Sequence, residues 1–102
     1  MDATCAENPQ PKEILDVIEQ IEKSNVDPVL KEETAQQLTN FGYINKNYNQ
    51  TKVYNYLFVA EDIRDNDEFI NAGISTEIYE QIVNYVKNEF PNEYQQAQLN
   101  SN

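Results

Sequence analysis

The chain of 102 residues contains no histidine, two glycines, four prolines and a single cysteine. Each scarcity removes a class of protein. Without histidine, the commonest general base and metal ligand is missing, and any phosphorelay built on a carrier histidine is excluded. With Gly42 and Gly73 alone there is no glycine-rich phosphate loop. Cys5 cannot form an intramolecular disulfide, and with no histidine to activate it, it is a poor nucleophile. No hydrophobic run reaches the roughly 18 residues needed to span a bilayer, and no signal peptide is visible. The cytoplasm is therefore the default compartment. A periplasmic or secreted protein is the alternative if the initial Met replaces a removed signal peptide.

Positive charge is also scarce. Seven Lys and Arg face eighteen Asp and Glu, for a net charge of −11. Such a chain repels nucleic acid and anionic membranes, whose phosphates demand cations, and attracts basic proteins. Its charges are unevenly spread. Residues 1–33 hold nine acids and three lysines, residues 34–60 hold two lysines and no acid, and residues 61–102 hold nine acids with Arg64 and Lys87.

The few breakers, widely spaced, favour long helices over many-turned β architectures. Residues 1–10 carry little to dock and are expected to be a tail. From Pro11, Ile14, Leu15, Val17, Ile18 and Ile21 form a broad apolar face, predicting a helix over 12–25. Asp27 as N-cap, Pro28 at the first helical position and Gly42 as stop delimit a second helix over 27–41. Ser75 or Thr76 should cap a last helix over 76–90, in which Ile78, Ile82, Val86 and Phe90 recur every four residues before Pro91. Residues 66–73 fit a short helix capped by Asn66 or Asp67 and stopped by Gly73.

The segment 51–64, TKVYNYLFVAEDIR, is ambiguous. Its β-branched and aromatic residues suit a strand. Val53, Leu57, Ala60 and Arg64 also fall on one helical stripe, with Tyr54 and Phe58 on the next, and no second strand is available as partner. The helix is preferred. The expectation is an all-α, bundle-like domain of four to five helices over 11–91, followed by a polar tail over 92–102. Ile18, Leu38, Leu57, Ile82 and Val86 are expected in its core.

Adjacent acids at Glu32–Glu33, Glu61–Asp62 and Asp67–Glu68 suit a solvated face better than acid–base chemistry, which needs a shaped pocket. The 62–77 region lacks the alternating oxygen ligands and the central glycine of a calcium loop. No serine sits in the attachment motif of an acyl carrier protein. Asn49-Gln50-Thr51 matches a glycosylation sequon by pattern alone. No cofactor, no metal and no enzymatic activity are expected.

The acid-free middle holds Tyr43, Tyr48, Tyr54 and Tyr56, four of the seven tyrosines, and runs straight into Glu61, Asp62, Asp65, Asp67 and Glu68. Tyrosine buries a large rigid surface and keeps a polar tip, which suits an interface anchor, and acids beside it steer basic partners. These nine residues are the candidate partner-binding set. The alternative is that the tyrosines plug a small core with their hydroxyls at the surface.

EILDVIEQIEKSNV, residues 13–26, resembles the first helix and exit of the colicin DNase immunity proteins. DNDEFINAGISTEIYEQIVNYV, residues 65–86, resembles in outline their acidic loop and last helix. The resemblance implies a small acidic four-helix inhibitor that blocks a basic nuclease. The family's short third helix carries two adjacent tyrosines as anchors, whereas here Asn55 separates Tyr54 from Tyr56. The leading expectation is a monomeric inhibitor or immunity-type protein that neutralises a basic partner such as a toxin. A phage-type DNA mimic or anti-defence protein is the alternative, disfavoured by the acid-free middle. A structural oligomerisation module, with a homodimer formed through the tyrosines, is the third.

Overall fold

The computed structural model of the protein describes residues 10–101. Among them lie six α-helices, one 3-10 turn and no strand. The expected tail therefore falls mostly outside the described residues, as does Cys5. Its last residue, Gln10, is buried: it donates its side-chain amide to the Thr39 carbonyl and lies over Gly42, where any Cβ would collide with it.

α1 spans Lys12–Glu22. Ile14, Val17 and Ile21, at helical spacing, are fully buried, while Ile18 is half-buried at the rim. Lys12–Asp16 and Glu19–Lys23 pair one turn apart on its wet face. Two donors close its C-terminus. The Ser24 hydroxyl bonds the Ile21 carbonyl at 2.6 Å, and the Lys31 ammonium bonds the Glu22 and Ser24 carbonyls at 2.9 and 3.0 Å. A cation over the last carbonyls also opposes the negative end of the helix dipole.

α2 spans Pro28–Phe41, where the sequence signals place it. Asp27 Oδ2 accepts from the Val29 and Leu30 amides at 3.1 and 3.3 Å, satisfying two otherwise orphaned donors. A 3-10 turn at Lys46–Tyr48 leads into α3, Asn49–Asp65. The ambiguous segment is thus helical, but on a stripe rotated from the expected one. Val53, Tyr56, Val59, Ala60 and Ile63 face inward, and Leu57 is half-buried.

The short α4, Asp67–Asn71, is capped by the Asn66 side chain, which accepts from the Glu68 amide at 2.8 Å. It ends in a Schellman motif. The Ile74 amide reaches the Phe69 carbonyl and the Gly73 amide the Ile70 carbonyl, with Gly73 at φ 78°. Phe69 is buried in the core, and half-buried Ile74 packs against that core from its edge. α5 spans Ser75–Glu89 and buries Ile78, Ile82 and Val86. Neither Ser75 nor Thr76 caps it: Ile74 holds the N-cap position and makes no side-chain bond.

Pro91 does not end the helical region. It takes the first position of α6, Pro91–Ser101, after Phe90 has turned the chain out of helical geometry. The expected polar tail is therefore a sixth helix, docked through buried Ala97 and half-buried Tyr94. Gln50 of α3 donates to the Glu93 carbonyl at 2.8 Å and helps hold it there.

α3 and α5 form the central pair. α1 packs on α5 and carries α2 beside it, while α6 lies against α3 and α5. The Gln20 and Gln81 side chains each donate Nε2 to the other's Oε1 across α1 and α5, at 2.8 and 3.2 Å. The body is flat, 44 by 37 by 18 Å. Among the described residues no helix is long and apolar enough to cross a membrane.

Candidate functional site

α3 presents two unlike faces. Its inner face fills the core. On the outer face Tyr54, Phe58, Glu61, Asp62 and Asp65 follow at intervals of four, three, one and three residues. At about 100° per residue these five fall within a stripe roughly 100° wide and about 16 Å long. Tyr54 is 39% exposed and Phe58 72%. The N-terminal half of the stripe is therefore aromatic and the C-terminal half acidic.

Beside the stripe, α3 and α6 enclose an open groove of about 340 Å³. Tyr54, Asn55, Leu57, Phe58 and Glu61 line one wall, and Ala97 and Gln98 the other. Asn100 of α6 donates to the Tyr54 hydroxyl, so the tyrosine is oriented before any partner arrives.

The acids differ in how they are engaged. Glu61 and Asp62 are exposed, and neither forms an ion pair among the described residues. Asp65 is gripped by Arg64 through bonds of 2.9 and 3.2 Å. That contact holds the Asp65 carboxyl below its ordinary value and raises the Arg64 guanidinium, which also lies 4.8 Å from the Tyr79 ring centre. Asp67 and Glu68 are exposed but lie past the bend at Asn66, in the first turn of α4, where acids favour the helix dipole. Glu68 Oε1 accepts from the Asp27 amide at 3.2 Å, which ties α4 to the start of α2. Both have local structural roles there.

Of the four tyrosines, the structure places Tyr54 on the stripe. Tyr43 and Tyr48 are exposed in the α2–α3 connection, ahead of it. Tyr56 is a correction. It is 1% exposed and packs edge-to-face on Phe41 at 5.4 Å and Tyr85 at 5.7 Å. Burial pushes its hydroxyl well above the ordinary range. A side chain so enclosed is a core residue and offers nothing to a partner. Phe58 enters in its place, and its signal was its position four residues after Tyr54, off the core stripe. Ala97 and Gln98 carry no such signal, because the polar sequence of α6 has no apolar face to mark it as a docked helix.

Among the described residues no group of three or more acidic or thiol side chains could hold a metal ion. The outer face of α3 offers contact, desolvation and charge. Set against known proteins, the chain significantly matches no family model, no curated protein and no solved structure.

Proposed function

We propose that the protein is a non-enzymatic acidic binding domain of the inhibitor or immunity type, which captures a basic protein on the outer face of α3. One observation carries this reading: Tyr54 and Phe58 are exposed on the same helical stripe as Glu61 and Asp62, exposed acids that form no ion pair among the described residues. An aromatic anchor supplies binding energy when desolvated, and exposed acids beside it raise the encounter rate with a cationic surface. The net charge of −11 extends that field over the whole body. Inhibition is the use that the resemblance of residues 13–26 and 65–86 to colicin immunity proteins supports.

The test compares the wild-type protein, immobilised, with Phe58→Ala and with the double variant Glu61→Gln/Asp62→Asn, as baits for cell extract. Glu33→Gln, an acid lost from α2, serves as control. A basic protein held by the wild type and the control but released by both α3 variants is the expected result. Its own activity should fall on adding one equivalent of the domain. If the captured protein is held equally by all four baits, the α3 face is not the binding surface. If its activity is unchanged by the domain, the inhibitor role is wrong.

A further inference from the structure

The groove beside the stripe constrains the shape of what binds. Its walls are side chains of two helices, whose backbone groups are already paired internally. The polar groups that it offers are the side chains of Asn55, Glu61 and Gln98, with the Tyr54 hydroxyl already bonded to Asn100. An extended segment laid there would leave most of its own amides and carbonyls without partners. Strand addition is unavailable, since no sheet edge exists among the described residues. A helix satisfies its own backbone and presents only side chains, which is what this groove can accept.

Spacing agrees. Tyr54 to Phe58 is about 6 Å along α3, and Phe58 to Glu61 and Asp62 about 5–6 Å more. A second helix carries same-face residues at this interval, three or four positions apart. Charge then selects the helix. Glu61 and Asp62 call for Lys or Arg next to an apolar stripe. A second copy of this chain would bring another net −11 against the first, and phosphate-bearing surfaces carry the same sign.

We infer that the ligand of this face is a basic amphipathic helix, lying along the α3–α6 groove with its apolar stripe on Leu57 and Phe58 and its cations over Glu61 and Asp62. This rests on the binding reading above and narrows the partner to one that presents such a helix.

The test titrates the isotopically labelled full chain with a peptide of about 15 residues, long enough for roughly 22 Å of helix, built from Leu and Lys with Leu on one helical face. A second peptide has the same composition, permuted so that Leu no longer forms a face. The amphipathic peptide should gain helical circular dichroism on binding. Shifts should centre on the amides of Tyr54, Asn55, Phe58, Glu61, Ala97 and Gln98. The permuted peptide, and Phe58→Ala with the amphipathic one, should each bind roughly tenfold more weakly.

Equal binding of both peptides would mean that charge alone is read, and would overturn the inference. So would shifts centred on another groove, binding without helix gain, or no binding. Amide shifts that grow with protein concentration and no peptide would show a second copy in the groove instead. Failure here is separable from failure of the broader reading. A basic protein released by the α3 variants, with no response to the helical peptide, keeps the binding face and rejects only its helical ligand.

Discussion

Tyr56→Ala and Phe58→Ala remove aromatic rings two residues apart on one helix, and the structure assigns them opposite consequences. Tyr56 is 1% exposed and lies between Phe41 and Tyr85, with ring planes at 87° and 79° to its own. Removing a large aromatic from a closed core costs about 3–5 kcal/mol, the cavity included. A domain of this size holds about 5–15 kcal/mol in total. The variant should lose about a fifth or more of its stability, with a melting temperature lower by about 12 °C or more. Phe58 is 72% exposed, so its truncation should stay within about 0.5 kcal/mol, or roughly 2–4 °C. Urea and thermal melts followed by far-ultraviolet circular dichroism measure both. Equal shifts for the two variants would falsify the two-faced account of α3, and with it the assignment of Phe58 as an anchor.

Two further predictions concern the frame. Gly73, at φ 78°, should tolerate Asn better than Ala: an added Cβ meets nothing within 4 Å, so the cost is backbone strain, about 1 kcal/mol for Ala by denaturant melts; Gly73→Ala at wild-type stability would exclude the strained turn. Burial, with smaller contributions from Glu89 and Glu13, pushes the Tyr85 hydroxyl up to about 12, against an unfolded value of about 10. A raised folded value favours the neutral form in the fold, so this stabilisation is intact below about pH 10 and is lost as pH rises towards 12. Melts between pH 8 and 12 should show the loss, with late tyrosinate absorbance; full ionisation of all the tyrosines near pH 10 in an intact fold would contradict it.

Much of the frame was legible because it rests on local chemistry. Asp27-Pro28 starts α2, Gly73 stops α4, and the ladder of Ile78, Ile82 and Val86 marks the inner face of α5. Each signal acts within one or two turns. The errors arose where tertiary contact decides. In α3 the expected stripe steps from Val53 by four residues to Leu57 and then on to Ala60 and Arg64, whereas the core steps by three, to Tyr56, and includes Ile63. Either step suits a helix with a mean of 3.6 residues per turn. Only packing on Phe41 and Tyr85 selects between them, and that one-residue difference moved Tyr56 inward and left Phe58 outside. α6 was missed because its polar sequence buries little beyond Ala97 and Tyr94, and Pro91 reads equally as an end or a beginning. Of the site, the junction of aromatic and acidic blocks was visible, while the groove, which needs α6, was not.

The position of the acids on α3 bears on function in its own right. Carboxylates favour helix N-termini, where the dipole is positive, and disfavour the last turns, where it is negative. Asp67 and Glu68 obey this rule at the start of α4, but Glu61, Asp62 and Asp65 gather at the C-terminal end of α3. Arg64 neutralises Asp65, while Glu61 and Asp62 stand without an ion pair among the described residues. Local consistency is the norm in a folded sequence, and breaches without compensation concentrate at functional sites. Neutralising Asp62 as Asn should therefore raise the melting temperature slightly, by about 2–4 °C, while slowing association with a cationic partner in a salt-dependent way. Stopped-flow association at low and high salt, read beside the melt, separates the two effects. A variant that gains stability and keeps its association rate would return Asp62 to the role of a solubilising charge. A variant that loses stability would show that the carboxylate serves the fold, and the breach would need another explanation.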